Sequence, residues 1–288
     1  MTRNERSIVI AEPDSPAAFI DLDIRGRAQR LEYAWIGAAR DDAPLVAFLH
    51  DGLGSLAMWR DFPRALCAAA GARGLVYSRP GYGRSSPRLA EERWPVAFMH
   101  VQAEVVLPAL LDRLGVDYPL WLFGHSDGAS IALLHAAAFP DRVAGVVAVA
   151  PHVFVEDLSV ASIEQARVAY QTADLRQRLA RYHDDPDSAF FGWNDIWLDP
   201  AFRAWNIEDC LPHVGAPLLA VQGVDDDYGT MAQVDAIARH APRARLLKLS
   251  ACGHSPHRDQ PEALVDAVVK FLDEHRQVPV RTPVAARQ

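Results

Sequence analysis

Cysteine is scarce in this chain: its 288 residues include three, Cys67, Cys210 and Cys252, an odd number, scattered and without C-x-x-C spacing. A disulfide framework or a cysteine-built zinc site is therefore not expected, whereas reduced, buried thiols are. Nowhere does the sequence approach the roughly 18 consecutive apolar residues that mark a membrane-spanning helix. Its first residues, MTRNERSIVIAE, carry charges but no long apolar core of a leader. A cytoplasmic protein without a membrane partner is the expectation. Blocks of like charge are also missing: 37 acidic against 29 basic residues give a net charge of −8, spread along the chain, which argues against a nucleic-acid surface. No internal repeat or low-complexity tract is present. The glycine-rich stretch RPGYGRSS (79–86) has neither the G-x-G-x-x-G nor the Walker spacing of a phosphate loop, and reads as a stiff turn. No histidine pair shares helical spacing with a glutamate, and Asp225, Asp226 and Asp227 lack companion ligands, so neither metal nor cofactor is expected.

What the chain does have is apolar residues, 50% of the total, enough to bury a sizeable core. Short apolar runs at 7–10, 30–36, 44–50, 73–78, 118–123, 143–150, 217–222 and 245–249 read as strands. Amphipathic segments at 58–70, 98–114, 130–139, 230–240 and 261–275 read as helices, the last with apolar residues at 264, 265, 268, 269, 271 and 272. Strand alternating with helix predicts an α/β fold: a mostly parallel eight-stranded sheet with helices on both faces and ligands bound at the carboxyl ends of the strands. From 153 to 214 the rhythm breaks into a helix-prone, charged and then aromatic segment too long to be a structureless loop. The expected organisation is a core in two parts, 1–152 and 215–277, a helical lid or cap over 153–214, and a fraying tail over 278–288. Phe190, Phe191, Trp193, Trp197 and Trp205 are placed to line an apolar pocket under the lid, or to glue it to the core.

Chemistry is concentrated in LWLFGHSDGASIALL (120–134), where Ser126 sits in a G-x-S-x-G pattern between an apolar strand and a helix-prone run. That setting exposes a serine hydroxyl on a sharp strand-to-helix turn. A hydroxyl is a poor nucleophile at neutral pH and needs an imidazole to take its proton and a carboxylate to orient the imidazole. Downstream strand ends supply both: GVDDD (223–227) offers three carboxylates, and CGH (252–254) offers His254. An oxyanion would need backbone N–H donors. Asp127, the residue after the serine, is one; the second comes from HDGLGS (50–55), where Gly52 is favoured and Leu53 is the near alternative.

With FLHDGLGS (48–55), YSRPGYGRSSP (77–87), GHSDG (124–128), GVDDD (223–227) and GHSPH (253–257), the chain resembles a lidded serine hydrolase of the α/β-hydrolase superfamily, esterase- or lactonase-like, over residues 28 to 276. The resemblance implies Asp226, three residues after the glycine, as the acid. It implies ester-type hydrolysis of a small, partly apolar molecule without a cofactor, carbon–carbon bond hydrolysis or perhydrolysis being the alternatives that keep the same triad. A non-catalytic small-molecule binder on the same scaffold is a third reading. Ser126 in place of aspartate sets the chain apart from haloalkane dehalogenases and epoxide hydrolases, and the Gly-Gly-Ser-Trp-Gly elbow of proline iminopeptidases is absent. Ser255 stands where carbon–carbon bond hydrolases often have tryptophan. Asp51 replaces the glycine that often follows His50, so its carboxylate either braces the loop or meets the substrate. Asp51, Phe191, Trp193 and Trp197 are the candidate pocket residues. His50 and His125 are expected to be structural, and His257 to lie on the rim.

Overall fold

The protein is described from a computed structural model covering residues 15–37 and 43–276; the expected strand at 7–10 and the tail at 278–288 lie outside the described residues. Eight strands form one sheet in the order β1-β2-β4-β3-β5-β6-β7-β8. They are β1 (Ala18–Ile24), β2 (Arg27–Ile36), β3 (Leu45–Leu49), β4 (Arg73–Tyr77), β5 (Leu120–His125), β6 (Val143–Val149), β7 (Leu218–Gly223) and β8 (Ala244–Leu249). β2 runs antiparallel to both neighbours, and all pairings from β4 to β8 are parallel.

Residue alternation explains why the central strands read as continuous apolar runs. Leu45, Ala47, Leu49, Leu120, Leu122, Val146, Ala148, Leu218 and Ala220 face one core layer. Val46, Phe48, Trp121, Phe123, Val147, Val149, Leu219 and Val221 face the other. Side chains of a strand point alternately to its two faces, so burial on both sides demands an apolar residue at every position. The edge strand β1, absent from the expected set, follows the other pattern: Phe19, Asp21 and Asp23 are exposed while Leu22 is buried. It is joined to β2 through Arg25 and Gly26, both at positive φ, 56° and 80°, as a two-residue type I′ hairpin requires.

Helices cover both faces. α1 (Phe62–Ala70) follows a separate 3₁₀ turn at Ala57–Trp59, so the expected 58–70 helix is broken in two. The expected 98–114 helix is α2 (Phe98–Val101) and α3 (Leu107–Arg113), joined through a π-helical turn at Gln102–Val106. α4 (Asp127–Ala138) starts before the expected residue 130, immediately after Ser126. Between β6 and β7 the chain builds a helical cap region from α5 (Asp157–Thr172), α6 (Leu175–Leu179), α7 (Pro186–Trp197) and two 3₁₀ turns. Asp185 caps α7 by accepting the Ser188 N–H at 2.8 Å. α8 (Met231–His240), α9 (Pro256–Asp259) and α10 (Pro261–Glu274) complete the layers. Among the described residues no helix is long and apolar enough to cross a membrane.

Leu122 lies fully buried at the centre of β5. Truncation there removes transfer free energy and leaves a cavity, so Leu122→Ala is expected to cost about 2–5 kcal/mol. Urea unfolding should show a lowered midpoint with an unchanged slope; a shift worth under about 1 kcal/mol would mean that this layer collapses around the gap.

Candidate active site

β5 ends in the centre of the sheet, and the chain reverses there within a single residue. Ser126 has φ 54° and ψ −121°, a conformation that a side chain adopts at a cost of about 1–3 kcal/mol. Its neighbours make the reversal possible: a Cβ on Gly124 would come within 2.2 Å of the Gly128 carbonyl oxygen, and one on Gly128 within 2.0 Å of the Leu49 carbonyl oxygen. Backbone bonds hold the strained residue. Ser126 N–H donates to the Val149 carbonyl at 2.9 Å, and its own carbonyl accepts the Ala129 and Ser130 N–H groups at 2.8 and 3.1 Å.

The loops after β7 and β8 meet at this point, tied by the Asp225 N–H to the Cys252 carbonyl at 2.9 Å. His254 Nε2 lies 3.0 Å from Ser126 Oγ, and His254 Nδ1 lies 2.9 Å from both carboxylate oxygens of Asp226. Nδ1 can only donate to a carboxylate, which leaves Nε2 as acceptor for the serine hydroxyl. Of the three aspartates after Gly223, Asp226 is the one hydrogen-bonded to His254. Its Oδ1 also accepts the Tyr228 and Gly229 N–H groups at 2.8 and 3.2 Å, and its Oδ2 the Gln222 side chain at 2.7 Å. Burial alone would raise the Asp226 carboxyl, but the bond and charge of His254 and the Tyr228 N–H together hold it below the ordinary carboxylate range. Ser126 is 7% exposed, so the site is almost closed over.

The loop after β3 is braced by an imidazole and a guanidinium. His50 Nε2 accepts the Arg79 N–H at 3.0 Å while its Nδ1 donates to the Asp51 carbonyl at 2.8 Å. That same carbonyl accepts the buried Arg79 guanidinium at 2.7 Å and the Gly54 N–H at 3.2 Å. The bracing thus runs through the Asp51 backbone, while its carboxylate lies beside Gly54, 2.1 Å from where a Cβ there would stand. Among the described residues the N–H groups of Gly52, Leu53 and Asp127 have no hydrogen-bond partner. From the cap, His183 accepts the Gly83 N–H at 2.9 Å and donates to the Leu53 carbonyl at 3.0 Å. His183 and Arg79 were not foreseen: a lone histidine in a charged stretch and an arginine before a Gly/Pro turn give no periodic signal.

α7 brings two tryptophans, one helical turn apart, onto this floor. Trp193 lies against Gly52, its Nε1 2.2 Å from the place a Cβ would occupy, and Trp197 Nε1 donates to Asp127 Oδ1 at 3.2 Å. Phe191 instead packs on Tyr170 and Phe190 and borders a small cleft with Arg88, Glu92 and Trp94. Phe190 stacks on Tyr170 at 3.7 Å and is fully buried, an adhesive contact within the cap. His257, expected on the rim, is buried against Trp59, Phe62 and His125, because α9 turns it inward. His125 donates from Nε2 to the His254 carbonyl at 2.7 Å. Among the described residues no cluster of three or more His, Cys, Asp or Glu side chains could hold a metal ion.

Comparison with known proteins agrees with this architecture. A family model described as the alpha/beta hydrolase fold matches residues 44–191. The chain belongs to the α/β-hydrolase fold family. It is 28% identical over 91% of its length to Polyketide synthase ThaQ of Burkholderia thailandensis, of whose length the match spans 14%. It is 24% identical over 80% of its length to the sn-1-specific diacylglycerol lipase ABHD11 of Mus musculus, covering 81% of that protein. Among solved structures, a bacterial membrane phospholipase A described as a virulence factor superposes with a TM-score of 0.69 at 20% identity, covering 91% of this α/β-hydrolase and 87% of the other chain. Fold and relatives together support a hydrolase-type enzyme of this superfamily.

Burial lowers the imidazoles around the site: His125 to about 4 and His152 to about 3, with His50 well below its ordinary value and His183 and His257 also down. Between the ordinary value near 6.5 and these lowered ones, the unfolded chain binds protons that the folded one does not. Stability contributed by these neutral rings is therefore fully present above about pH 6.5 and is lost as pH falls toward about 4. Urea midpoints at pH 7.5 and pH 5 should show the loss, and His125→Gln should make it smaller; equal midpoints at both pH values would contradict it.

Proposed function

We propose that this α/β-hydrolase cleaves an ester-like bond of a small, partly apolar substrate through an acyl-enzyme on Ser126. The observation that carries the reading is the unbroken hydrogen-bond chain from Ser126 Oγ through His254 to Asp226, at 3.0 and 2.9 Å, starting from a serine held in a strained turn. As Oγ bonds to the carbonyl carbon, its proton passes to His254 Nε2, and Asp226 holds the imidazolium that forms. The tetrahedral oxyanion is taken by the N–H of Asp127 and by that of Gly52, with Leu53 as the alternative donor. Each such donor is typically worth about 2.7–4 kcal/mol of transition-state stabilisation. Collapse expels the alcohol, which takes the proton from His254; a water then repeats the sequence and releases the acid. The cap of 153–214 supplies the apolar wall in this reading, with Trp193 and Trp197 over the two donor residues.

Fluorophosphonate labelling followed by peptide mass spectrometry tests the assignment. Modification is expected on Ser126 alone and should vanish in Ser126→Ala and in His254→Ala. Asp226→Asn should keep the fold but lower kcat by about 10⁴, since the wrong tautomer of His254 would face the serine. Undiminished labelling of a folded His254→Ala protein would remove His254 from the proposed role.

A further inference from the structure

Arg79 is a fully buried cation to which no described carboxylate is bonded. Its Nε and Nη1 are without partners, and Nη2 donates to the Asp51 carbonyl at 2.7 Å. Taking a guanidinium out of water is costly, and one bond to a neutral carbonyl repays little of that cost. Proteins keep such departures mainly where a site uses them.

The use follows from what the Asp51 carbonyl receives. Besides the guanidinium it accepts His50 Nδ1 at 2.8 Å and the Gly54 N–H at 3.2 Å. Three donors on one oxygen fix the plane of the peptide that joins Asp51 to Gly52. That peptide is trans, so its N–H, which belongs to Gly52, points opposite to the carbonyl and away from Arg79 and His50. The Leu53 N–H is not fixed in this way. It lies on the central peptide of the turn closed by the Gly54 N–H, and nothing among the described residues donates to the Gly52 carbonyl that shares its plane. The start of α4 packs directly on this loop: a Cβ on Gly128 would stand 2.0 Å from the Leu49 carbonyl oxygen and 2.6 Å from that of His50. The fixed peptide and the strained serine are thus built onto the same backbone contact. The guanidinium also acts on charge. By donating to the Asp51 oxygen it draws electron density toward that atom, and the conjugated peptide passes the effect on to its N–H, which becomes a stronger donor.

Building on the acyl-enzyme reading above, we propose that Arg79 is a positioning residue that, through the Asp51–Gly52 peptide, orients and polarises the Gly52 N–H as the oxyanion donor in preference to that of Leu53. When Ser126 Oγ bonds to the substrate carbonyl carbon, its proton passes to His254 Nε2 and the carbonyl π pair moves onto oxygen. The oxyanion then meets an N–H backed by a buried cation, and the two charges compensate each other. Because the substrate acquires that charge only on the way to the tetrahedral state, the effect of Arg79 falls on kcat and leaves KM nearly unchanged.

The test compares wild type with Arg79→Lys, which keeps a cation, Arg79→Gln, which keeps a neutral donor, and Arg79→Met, which keeps only the stem. Near-ultraviolet circular dichroism checks that each is folded. Two quantities are measured: hydrolysis of para-nitrophenyl butanoate, and inhibition by an alkyl trifluoromethyl ketone, which adds to the serine as a hemiketal bearing an oxyanion. Arg79→Met should lower kcat by about ten- to a hundredfold, less than the roughly 10²–10³ that deletion of an oxyanion donor costs, with KM within about threefold of wild type. The inhibition constant should rise by the same factor as kcat/KM falls, and Arg79→Lys should lose less than either neutral variant. A folded Arg79→Met protein with kcat within threefold of wild type would overturn the inference. A loss confined to KM, or one that leaves the inhibition constant unchanged, would do the same. Should neither neutral variant fold, Arg79→Lys decides: a fall in kcat/KM of threefold or more, matched by the inhibition constant, supports the role, and an unchanged kcat would assign Arg79 to stability alone. Fluorophosphonate labelling of wild type separates the two levels, and its rate replaces kcat/KM if the ester is not turned over. Labelling of Ser126 with no effect of Arg79 means that the positioning role alone fails; no labelling means that the acyl-enzyme reading fails and takes the inference with it.

Discussion

The backbone of one residue, Ser126, governs the arrangement of everything around it. Held at φ 54°, it turns the chain from the fully buried β5 straight into α4 without an intervening loop. That reversal tolerates no Cβ at Gly124 or Gly128, where other backbone lies within 2.2 and 2.0 Å of where one would be. The strain is offset by burial of both flanking elements and by the bond from the Ser126 N–H to Val149 on the neighbouring strand. Since β3, β5, β6, β7 and β8 run parallel, their carboxyl ends all open at the same edge. Residues 51–54, 226 and 254 therefore converge on position 126 although they are far apart in sequence.

Electrostatics divides the histidines of this edge into two groups. His50, His125, His152, His183 and His257 are buried and pushed toward the neutral form, and all five meet backbone carbonyls, backbone amides or aromatic faces. His254 differs in its partners: a carboxylate on one ring nitrogen and a hydroxyl on the other. In the proposed chemistry that difference separates a ring that carries a proton from rings that hold the frame. Arg79 adds a buried cation beneath the loop after β3, where it anchors the Asp51 carbonyl and faces the ring of Tyr82.

Much of this was legible in the sequence, for physical reasons that can be located. Central strands buried on both faces must be apolar at every position, so LVAFL, LWLFGH and VAGVVAV stand out. The edge strand AFIDLDI did not: its alternation is half polar, and only its period of two betrays it. The junction of α2 and α3 was invisible because a π-helical turn hardly changes the apolar period. Ser126, Asp226 and His254 could be picked out by their positions at strand ends, although the choice of Asp226 over Asp225 and Asp227 came from resemblance to the family. The side-chain geometry was out of reach: the Asp51 carbonyl rather than its carboxylate bracing the loop, the inward turn of His257, and the use of His183 from the cap all depend on long-range packing. Phe191 and Trp193 are two residues apart on α7, and helical phase alone sends one toward the small cleft and the other onto Gly52.

The most direct measurement is the intact mass of the protein during turnover of an activated ester, with the modified peptide then sequenced. The account predicts an added acyl mass on the peptide containing Ser126, rising in a burst and decaying as substrate is exhausted. Sustained hydrolysis with no acyl mass on Ser126 at any time would contradict it.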